Sequence, residues 1–262
     1  MNIRLDGKTA IVCGSSKGIG RSSAIQLAKA GASIILMARD EGALKKTLSE
    51  LDSSSNQSHS YISVDFNHPK DVSEKVNALL ETTFPIHILI NNSGGPPPGP
   101  IVEEDAESFR IAFNRHVINN QNITRAVLPG MKEARFGRII NIISTSVKEP
   151  LEGLGVSNTI RGAVASWAKT MAGECASFGI TVNNILPGFT NTERLQSLIN
   201  RIAEKENISP EKITERFEQS VPTQRFAHPE ETASAVTFLA SEQASYINGI
   251  NLPVDGGRIK SL

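Results

Sequence analysis

Residues 9–20 read TAIVCGSSKGIG, and this short stretch decides the class of fold. Its first part, Thr9–Cys13, is a continuous apolar run of the kind that forms a strand buried on both faces. Three glycines follow before a helical stretch that runs to Gly31: Gly14, Gly18 and Gly20. Glycines at these positions permit a tight turn, close backbone approach to a ligand and close packing of the helix on the strand.

The same turn has the features of an anion site. A helix that begins directly after it offers unpaired N–H groups and a partial positive charge to a pyrophosphate. The residues expected to form this cradle are consecutive: Gly14, Ser15, Ser16, Lys17, Gly18, Ile19 and Gly20. The pattern predicts a bound dinucleotide, and a glycine-rich turn that serves only helix packing remains the alternative.

Beyond this turn, short runs rich in Val and Ile alternate with longer stretches of helical periodicity. The predicted strands are Thr9–Cys13, Ser33–Ala38, Ser60–Val64, Ile86–Asn91, Arg138–Ile143, Thr181–Leu186 and Asn251–Val254. Residues 70–83 illustrate the helices, with apolar residues at i, i+4, i+7 and i+8. The alternation predicts one α/β domain over residues 1–262, a Rossmann-like doubly wound parallel sheet with helices on both faces.

Composition and charge exclude several other classes. The 262 residues carry 27 basic and 27 acidic side chains, and a net charge of zero argues against a nucleic-acid partner. No apolar stretch is long enough to span a bilayer, and residues 1–8 have no signal-peptide core. Two cysteines, Cys13 and Cys175, suit buried thiols in a reducing cytosol, and no metal-ligand spacing is present. We therefore expect a cytoplasmic protein with a small-molecule partner.

The end of the second predicted strand bears on the choice of nucleotide. An acid at this place accepts bonds from a ribose 2′-OH, whereas an arginine holds a 2′-phosphate. Here the acid is absent, Arg39 follows Ala38, and Lys17 adds a second cation. These charges favour NADP(H) over NAD(H). Two alternatives remain open: Asp40 reaches the ribose, or Arg39 is only a solvated loop residue.

Several motifs in sequence order resemble the short-chain dehydrogenase/reductase family, and the resemblance covers nearly the whole chain. Besides the glycine turn, they are Asn91-Asn92-Ser93-Gly94 and Pro187-Gly188. Within the family the chain looks most similar to 3-oxoacyl-(acyl carrier protein) reductases, through GRIINIIS (137–144), GITVNNILPGFTNT (179–192) and YINGINLPVDGG (246–257). The resemblance implies an NADP(H)-dependent oxidoreductase that interconverts a carbonyl and an alcohol.

The resemblance also implies further cofactor contacts. Asp65 would contact the adenine, and Phe66 would also bind the cofactor. Asn91, Asn92, Ser93 and Gly94 would support the cofactor and the central strand. The nicotinamide side would be lined by Pro187, Gly188, Thr190 and Thr192. Family members usually pair their long helices, so the helix from about Gly155 to Phe178 is expected to mediate a homodimer or homotetramer.

The chain departs from the family at the active site, which combines an Asn, a Ser, a Tyr and a Lys. The GRIINIIS match places the serine at Ser144. Counting without a gap, the tyrosine position holds Ser157, the lysine position Arg161 and the asparagine position His116. The two tyrosines of the chain, at 61 and 246, lie too far away in sequence to substitute.

The altered set suggests changed roles for these four residues. Ser157 and Arg161 share one helix face, as residues four apart do. Ser144 and Ser157 would donate hydrogen bonds to a carbonyl oxygen, and Arg161 would hold the cofactor ribose or a substrate carboxylate. His116 is either a core histidine bonded to a backbone carbonyl or a proton relay, directly or through water. Because the tyrosine is missing, an NADP-binding regulatory or redox-sensing protein with little turnover is the alternative function.

Two segments remain. Residues 191–221 carry helical apolar spacing and are predicted to form a lid over the substrate pocket, with an ordinary amphipathic surface helix as the alternative. The segment GGPPPGP, residues 94–100, follows the fourth strand at the end where such folds bind ligands. Its prolines stiffen the pocket wall or only shape a surface loop.

Overall fold

The computed structural model describes residues 3–261. Its parallel strands form one sheet in the order β3-β2-β1-β4-β5-β6-β7. They are Thr9–Cys13 (β1), Ser33–Ala38 (β2), Ser60–Ser63 (β3), Ile88–Asn91 (β4), Gly137–Ile142 (β5), Ile180–Pro187 (β6) and Asn251–Val254 (β7). The predicted doubly wound sheet is confirmed, and each predicted strand ends within two residues of the observed one.

Helices cover both faces of the sheet. They are Gly18–Lys29 (α1), Glu41–Leu48 (α2), Pro69–Leu80 (α3), Ala106–Phe113 (α4), Asn119–Glu133 (α5), Gly155–Cys175 (α6), Glu193–Glu206 (α7), Pro210–Gln219 (α8) and Pro229–Leu239 (α9). A π-helical segment, Asn114–Ile118, joins α4 to α5, and the backbone stays helical at both ends of the segment. Proline occupies the first turn of α3, α8 and α9, where its missing N–H costs no hydrogen bond.

The alternation of side chains along the strands divides the core into two layers. On one face, Val12, Leu36 and Ile90 belong to a cluster with α1 and α9. On the other face, Ile11 and Met37 belong to a second cluster with α3, α5 and α6. Because both faces are covered, the strands are apolar throughout, which is the pattern that the sequence shows.

A ladder of asparagine amides crosses the other half of the sheet. Asn91, Asn141, Asn184 and Asn251 lie side by side on β4, β5, β6 and β7. Each Nδ2 donates to the Oδ1 of the next residue at 2.8 Å, from Asn91 through to Asn251. The ladder holds four strands in register through side chains as well as backbone. The ladder ends at Asn91, the last residue of β4, and at Asn251, the first residue of β7.

Strand order reverses direction between β1 and β4, because the chain runs outward through β2 and β3 and then returns to the other side of β1. In doubly wound folds this switch opens a crevice at the carboxyl ends of the two strands. The loops after β1, β4, β5 and β6 all emerge along this edge. They carry most of the predicted site residues.

Candidate active site

The glycine turn after β1 is built against the loop that follows β4. Gly14 has a left-handed backbone, with φ of +61°, and a Cβ there would collide with the backbone oxygen of Asn92. A Cβ on Gly20 would collide with the oxygen of Gly14. The Asn92 amide donates to the carbonyls of Cys13 and Gly14, both at 3.3 Å. The glycines are therefore required by close backbone contacts within the turn.

The start of α1 leaves its first N–H groups without a side-chain cap. Lys17 is the N-cap residue and makes no capping bond. Ser15 is fully buried, and its hydroxyl accepts from the Met37 N–H at 2.9 Å, which ties the turn to β2. Ser16 and Ile19 are partly exposed. Uncapped N–H groups beside a glycine turn fit the pyrophosphate of a dinucleotide, which supports the predicted cradle.

The end of β2 carries an exposed cation at the place predicted for the ribose phosphate. The Arg39 side chain is 77% exposed, and its Nη1 lies 3.6 Å from Oδ2 of Asp65. Asp40, the alternative ribose ligand, caps α2 by accepting from the Ala43 N–H at 3.0 Å. Because Asp40 is used as a cap, the geometry favours Arg39 as the residue that selects the nucleotide. Phe66, another predicted cofactor-binding residue, packs partly buried against the α3–α5 side of the core.

The loop after β6 approaches the glycine turn from the opposite side. Thr192 caps α7, and its methyl group would lie 3.2 Å from a Cβ on Gly18. Thr190 is buried, and its hydroxyl donates to the Gly188 carbonyl at 3.3 Å. A Cβ on Gly188 would press on Asp255, in the segment that follows β7. Pro187 ends β6, so all four residues of the predicted nicotinamide side lie along the crevice.

One ion pair joins the glycine turn to the segment predicted as a lid. Lys17 Nζ lies 2.6 Å from Oε2 of Glu193, in the first turn of α7, and both side chains are largely exposed. An exposed pair of this kind contributes roughly 0–1 kcal/mol. It marks where the two segments meet without fixing them rigidly.

The loop after β5 and the first turns of α6 bring three candidate residues to the same edge. Ser144 follows β5 directly, and its hydroxyl accepts from the Ser146 N–H at 3.1 Å. Ser157 and Arg161 are both buried on α6, one turn apart. Arg161 reaches back to β5 and donates from Nη1 to the Ile142 carbonyl at 2.9 Å. The serines and the guanidinium thus lie around the carboxyl end of β5.

Arg161 is a buried cation in an electropositive place. Burial, together with the positive charge of Arg194, lowers the pKa of Arg161 to about 9. The residue is 8% exposed, and with this pKa it carries its positive charge at neutral pH. Its contribution to the resting site is therefore electrostatic.

His116 lies in the π-helical segment between α4 and α5 and is 2% exposed. Its Nδ1 is 2.8 Å from the Ser93 hydroxyl, and its Nε2 has no hydrogen-bond partner within residues 3–261. Burial and the positive charges of Arg161, Arg115 and Arg194 hold the pKa of His116 well below its usual value. The ring is neutral at physiological pH. π-Helical turns recur at functional sites, and an unpartnered buried nitrogen points the same way.

The predicted lid consists of α7 and α8, packed together around Leu195, Ile199 and Ile213. Phe189, just after β6, anchors the pair by stacking on Phe217 at 4.5 Å between ring centroids. On the side toward the crevice, Arg194 of α7 donates to two carbonyls of the proline loop. These are Gly95 O at 3.2 Å and Pro96 O at 3.3 Å. The proline loop is also hydrogen-bonded to the start of α6 through Gly99.

The sequence did not single out two of the arginines that surround His116. Arg115 precedes it and donates from Nε to Oδ1 of Asn67 at 3.0 Å and from Nη1 to the Gly94 carbonyl at 3.1 Å. Arg194 lies in the segment predicted as a lid. No local pattern marks either residue, since the contacts join segments that are about 20 to 100 positions apart. The only sign in the sequence of a positively charged site is that Arg115 directly precedes His116.

The remaining observations concern metal ligands, membrane-spanning helices and cysteines. Within residues 3–261, no group of three or more His, Cys, Asp or Glu side chains is arranged to hold a metal ion. No helix in that range is both long and apolar enough to cross a bilayer. Cys13 and Cys175 are both free and buried.

The chain belongs to the short-chain dehydrogenase/reductase family. The family model described as Enoyl-(Acyl carrier protein) reductase matches residues 14–258. The oxidoreductase YvaG of Bacillus subtilis is 32% identical over the full length of both chains. The 3-oxoacyl-[acyl-carrier-protein] reductase FabG of Vibrio cholerae is 32% identical over 97% of this chain and 98% of its own. L-sorbose reductase from Gluconobacter frateurii, solved with NADPH and L-sorbose, has a TM-score of 0.93 at 30% identity, with both chains fully covered.

These similarities confirm the predicted family, fold and class of activity, an NADP(H)-dependent oxidoreductase acting between a carbonyl and an alcohol. They offer no support for a regulatory protein without turnover. The assignment of individual site residues stays a prediction. The absence of a tyrosine at position 157 and of a lysine at position 161 is a property of this sequence itself.

Proposed function

We propose that the protein reduces the carbonyl group of a small molecule with NADPH bound across the crevice. The observation that carries the proposal is the meeting of two sites along one edge of the sheet. The first site consists of the glycine turn after β1, with the uncapped start of α1, and of the exposed Arg39 after β2. The second site consists of Ser144, Ser157 and Arg161, around the carboxyl end of β5. Cofactor and substrate would meet between them.

The cofactor, when bound, supplies the hydride, and the remaining work falls to side chains of this chain. Ser144 and Ser157 hold the carbonyl oxygen by donating hydrogen bonds, which become stronger as negative charge develops on that oxygen. Neither hydroxyl is acidic enough to replace a tyrosine as the proton source. We assign the proton to water, passed on by the neutral His116 ring, whose Nε2 is unpartnered.

The lid and the proline loop would then enclose the substrate. Arg194 already bridges the two, and exclusion of water strengthens the hydrogen bonds that the serines make. A substrate must enter past this bridge. The mobility of α7 would therefore influence the rate of turnover.

The proposal is tested by two measurements on the purified protein. NADPH should bind saturably, seen as energy transfer from Trp167, the single tryptophan, to the nicotinamide. A panel of ketones and aldehydes should then oxidise NADPH, and Ser144→Ala should lower kcat/KM by roughly 10²-fold or more with little change in NADPH affinity. Saturable NADPH binding without turnover across a broad panel of carbonyl compounds would favour the regulatory protein over the reductase. If NADPH did not bind at all, the proposal would be wrong.

We further propose that the protein works in the cytoplasm as a homodimer or homotetramer. The support for assembly is a groove of about 400 Å³ between α4 and α6. Phe109, Phe113 and Ile160 line it, and Phe113 is 40% exposed. Apolar surface of this kind suits a second copy of the chain. The free, buried thiols of Cys13 and Cys175 suit a reducing compartment.

A further inference from the structure

Arg161 is a buried guanidinium without a counter-charge. It has five N–H donors, and the hydrogen bond to the Ile142 carbonyl uses one of them. Within residues 3–261 no carboxylate lies at ion-pair distance, and the charge that acts on Arg161 is that of another cation, Arg194. A buried charge is costly unless it is paired. Arg161 therefore has no anionic partner in the part of the chain that the structure describes, and an anionic ligand would supply one.

A second buried arginine shows how the same chain satisfies a structural guanidinium. Arg138, 2% exposed, donates to three backbone carbonyls, those of Ser241, Gly137 and Gly179, at 2.8–3.1 Å. The charge acting on it is that of an acid, Glu242. Arg161 has one carbonyl in place of three and a cation in place of an acid. The contrast separates a guanidinium that serves the fold from one that is prepared for binding.

The surroundings of Arg161 attract anions in general. Arg115 and Arg194 both act on His116 together with Arg161, and the charge acting on Arg194 is again a cation, Arg115. Arg115 is largely used by Asn67 and the Gly94 carbonyl. Arg194 reaches in from the lid and keeps part of its side chain exposed. Among residues 3–261 an acid, Asp65, acts on Arg115, whereas none acts on Arg161 or on Arg194, which is held only by the Gly95 and Pro96 carbonyls.

We propose that the substrate is an oxo acid, whose carboxylate is bound by Arg161 with Arg194 in support from the lid. The inference rests on the proposed function and names its substrate class. Arg161 lies one helical turn after Ser157, so the two side chains start about 5–6 Å apart. This spacing sets the carbonyl oxygen, held by the serines, a few carbons away from the carboxylate. A guanidinium binds a carboxylate in bidentate fashion, which also orients the carbonyl.

The test compares each oxo acid with its own methyl ester, which keeps the skeleton and removes the charge. Suitable pairs are pyruvate, acetoacetate and levulinate, each with its methyl ester. Turnover of each compound is measured as the oxidation of NADPH. The wild type should favour an acid over its ester, and Arg161→Met should lower kcat/KM for the acid by roughly 10- to 150-fold. For the ester the change should stay within about threefold. Arg194→Met should act in the same direction and less strongly, since Arg194 is more exposed.

Binding is measured separately, by calorimetric titration of the preferred acid into the complex with NADP⁺, which has no hydride to transfer. Arg161→Met should abolish the heat of acid binding and leave NADP⁺ affinity within about threefold. Arg161→Lys keeps the charge without the planar fork, so it should retain part of the affinity if Arg161→Met folds poorly. Arg125→Met, an exposed arginine on α5, is the matched control and should change neither measurement.

Three results would overturn the oxo-acid assignment while leaving the reductase in place. They are equal kcat/KM for acids and esters in the wild type, equal losses for both in Arg161→Met, and a loss confined to NADP⁺ affinity. The last result would assign Arg161 to the nicotinamide ribose. Failure of the proposed function itself is distinguishable, because NADPH would then not bind saturably or no carbonyl compound of either kind would be reduced.

Discussion

At the scale of single residues, Arg39 is predicted to decide between two nucleotides that differ by one phosphate. Its guanidinium is exposed at the end of β2, and its pair with Asp65 at 3.6 Å is loose enough to be exchanged for a phosphate. A charge-assisted hydrogen bond contributes about 1.5–3 kcal/mol. Arg39→Ala should therefore weaken NADPH by roughly 10- to 150-fold and NADH by less than about threefold, measured by nicotinamide fluorescence. Equal losses for the two nucleotides would refute the 2′-phosphate assignment.

His116 is a residue whose burial has a consequence for stability. Its folded-state pKa is held well below the usual value by burial and by Arg161, Arg115 and Arg194. Below about pH 6.5 the unfolded chain takes up a proton at this position and the folded chain does not, so stability falls as the pH falls. The slope for one such group is at most about 1.4 kcal/mol per pH unit.

The measurement compares urea unfolding of the wild type and His116→Gln at pH 7, 6 and 5. At pH 7 the wild type should be the more stable, because glutamine does not reproduce the fit of the ring beside Ser93. That advantage should shrink toward pH 5, since only the wild type carries the protonation penalty. His68→Gln, at an exposed histidine, controls for the loss of an imidazole. A difference that is the same at all three pH values would show that His116 is protonated inside the fold.

At the scale of secondary-structure elements, the asparagine ladder explains how four strands keep one register. Asn141 is the inner member that donates to Asn184 and accepts from Asn91, both at 2.8 Å. Asn141→Leu would leave two buried amide groups unpaired, at roughly 1–3 kcal/mol each. We expect a loss of about 2–6 kcal/mol in the free energy of unfolding, measured in urea. Asn251→Leu, at the end of the ladder, breaks one bond and should cost about half as much.

Equal losses for these two variants would mean that the ladder is not a connected network. The ladder itself was not anticipated from the sequence, although asparagines do stand near the ends of several predicted strands. Sequence periodicity predicts that a segment is a strand. The register that brings four amides into line depends on pairing between strands that lie some 40 to 70 residues apart in the chain.

At the scale of the whole molecule, the groove between α4 and α6 tests the proposed assembly. Ala163 lines the groove, and Ala163→Glu would place a charge against the apolar partner surface. The mass in solution, measured by light scattering after gel filtration, should fall from that of a dimer or tetramer toward that of the monomer. Ala78→Glu is the matched control, because it makes the same substitution on the exposed side of α3. Unchanged assembly in both variants would locate the interface elsewhere.

How far the site could be predicted also depends on scale. The glycine turn, the serines and the changed positions 157 and 161 are visible because they are local patterns at fixed spacing. Helix ends were less accurate: residues 70–83 were predicted for α3, which spans Pro69–Leu80. The lid was predicted as a segment, but its bridge from Arg194 to the proline loop was not. The histidine was predicted to be buried or catalytic, and its partner, the Ser93 hydroxyl, was not foreseen.

The sequence by itself determined the doubly wound fold, the dinucleotide turn and the absence of the family's tyrosine. These depend on apolar periodicity, on glycines that neighbouring backbone requires, and on the identity of residues at counted positions. Tertiary structure alone decided that Arg161 is buried beside a cation and that Arg138 is bonded to three backbone carbonyls. Burial and electrostatic surroundings are set by residues brought together from distant parts of the chain, so identical side chains acquire different roles that no local pattern distinguishes.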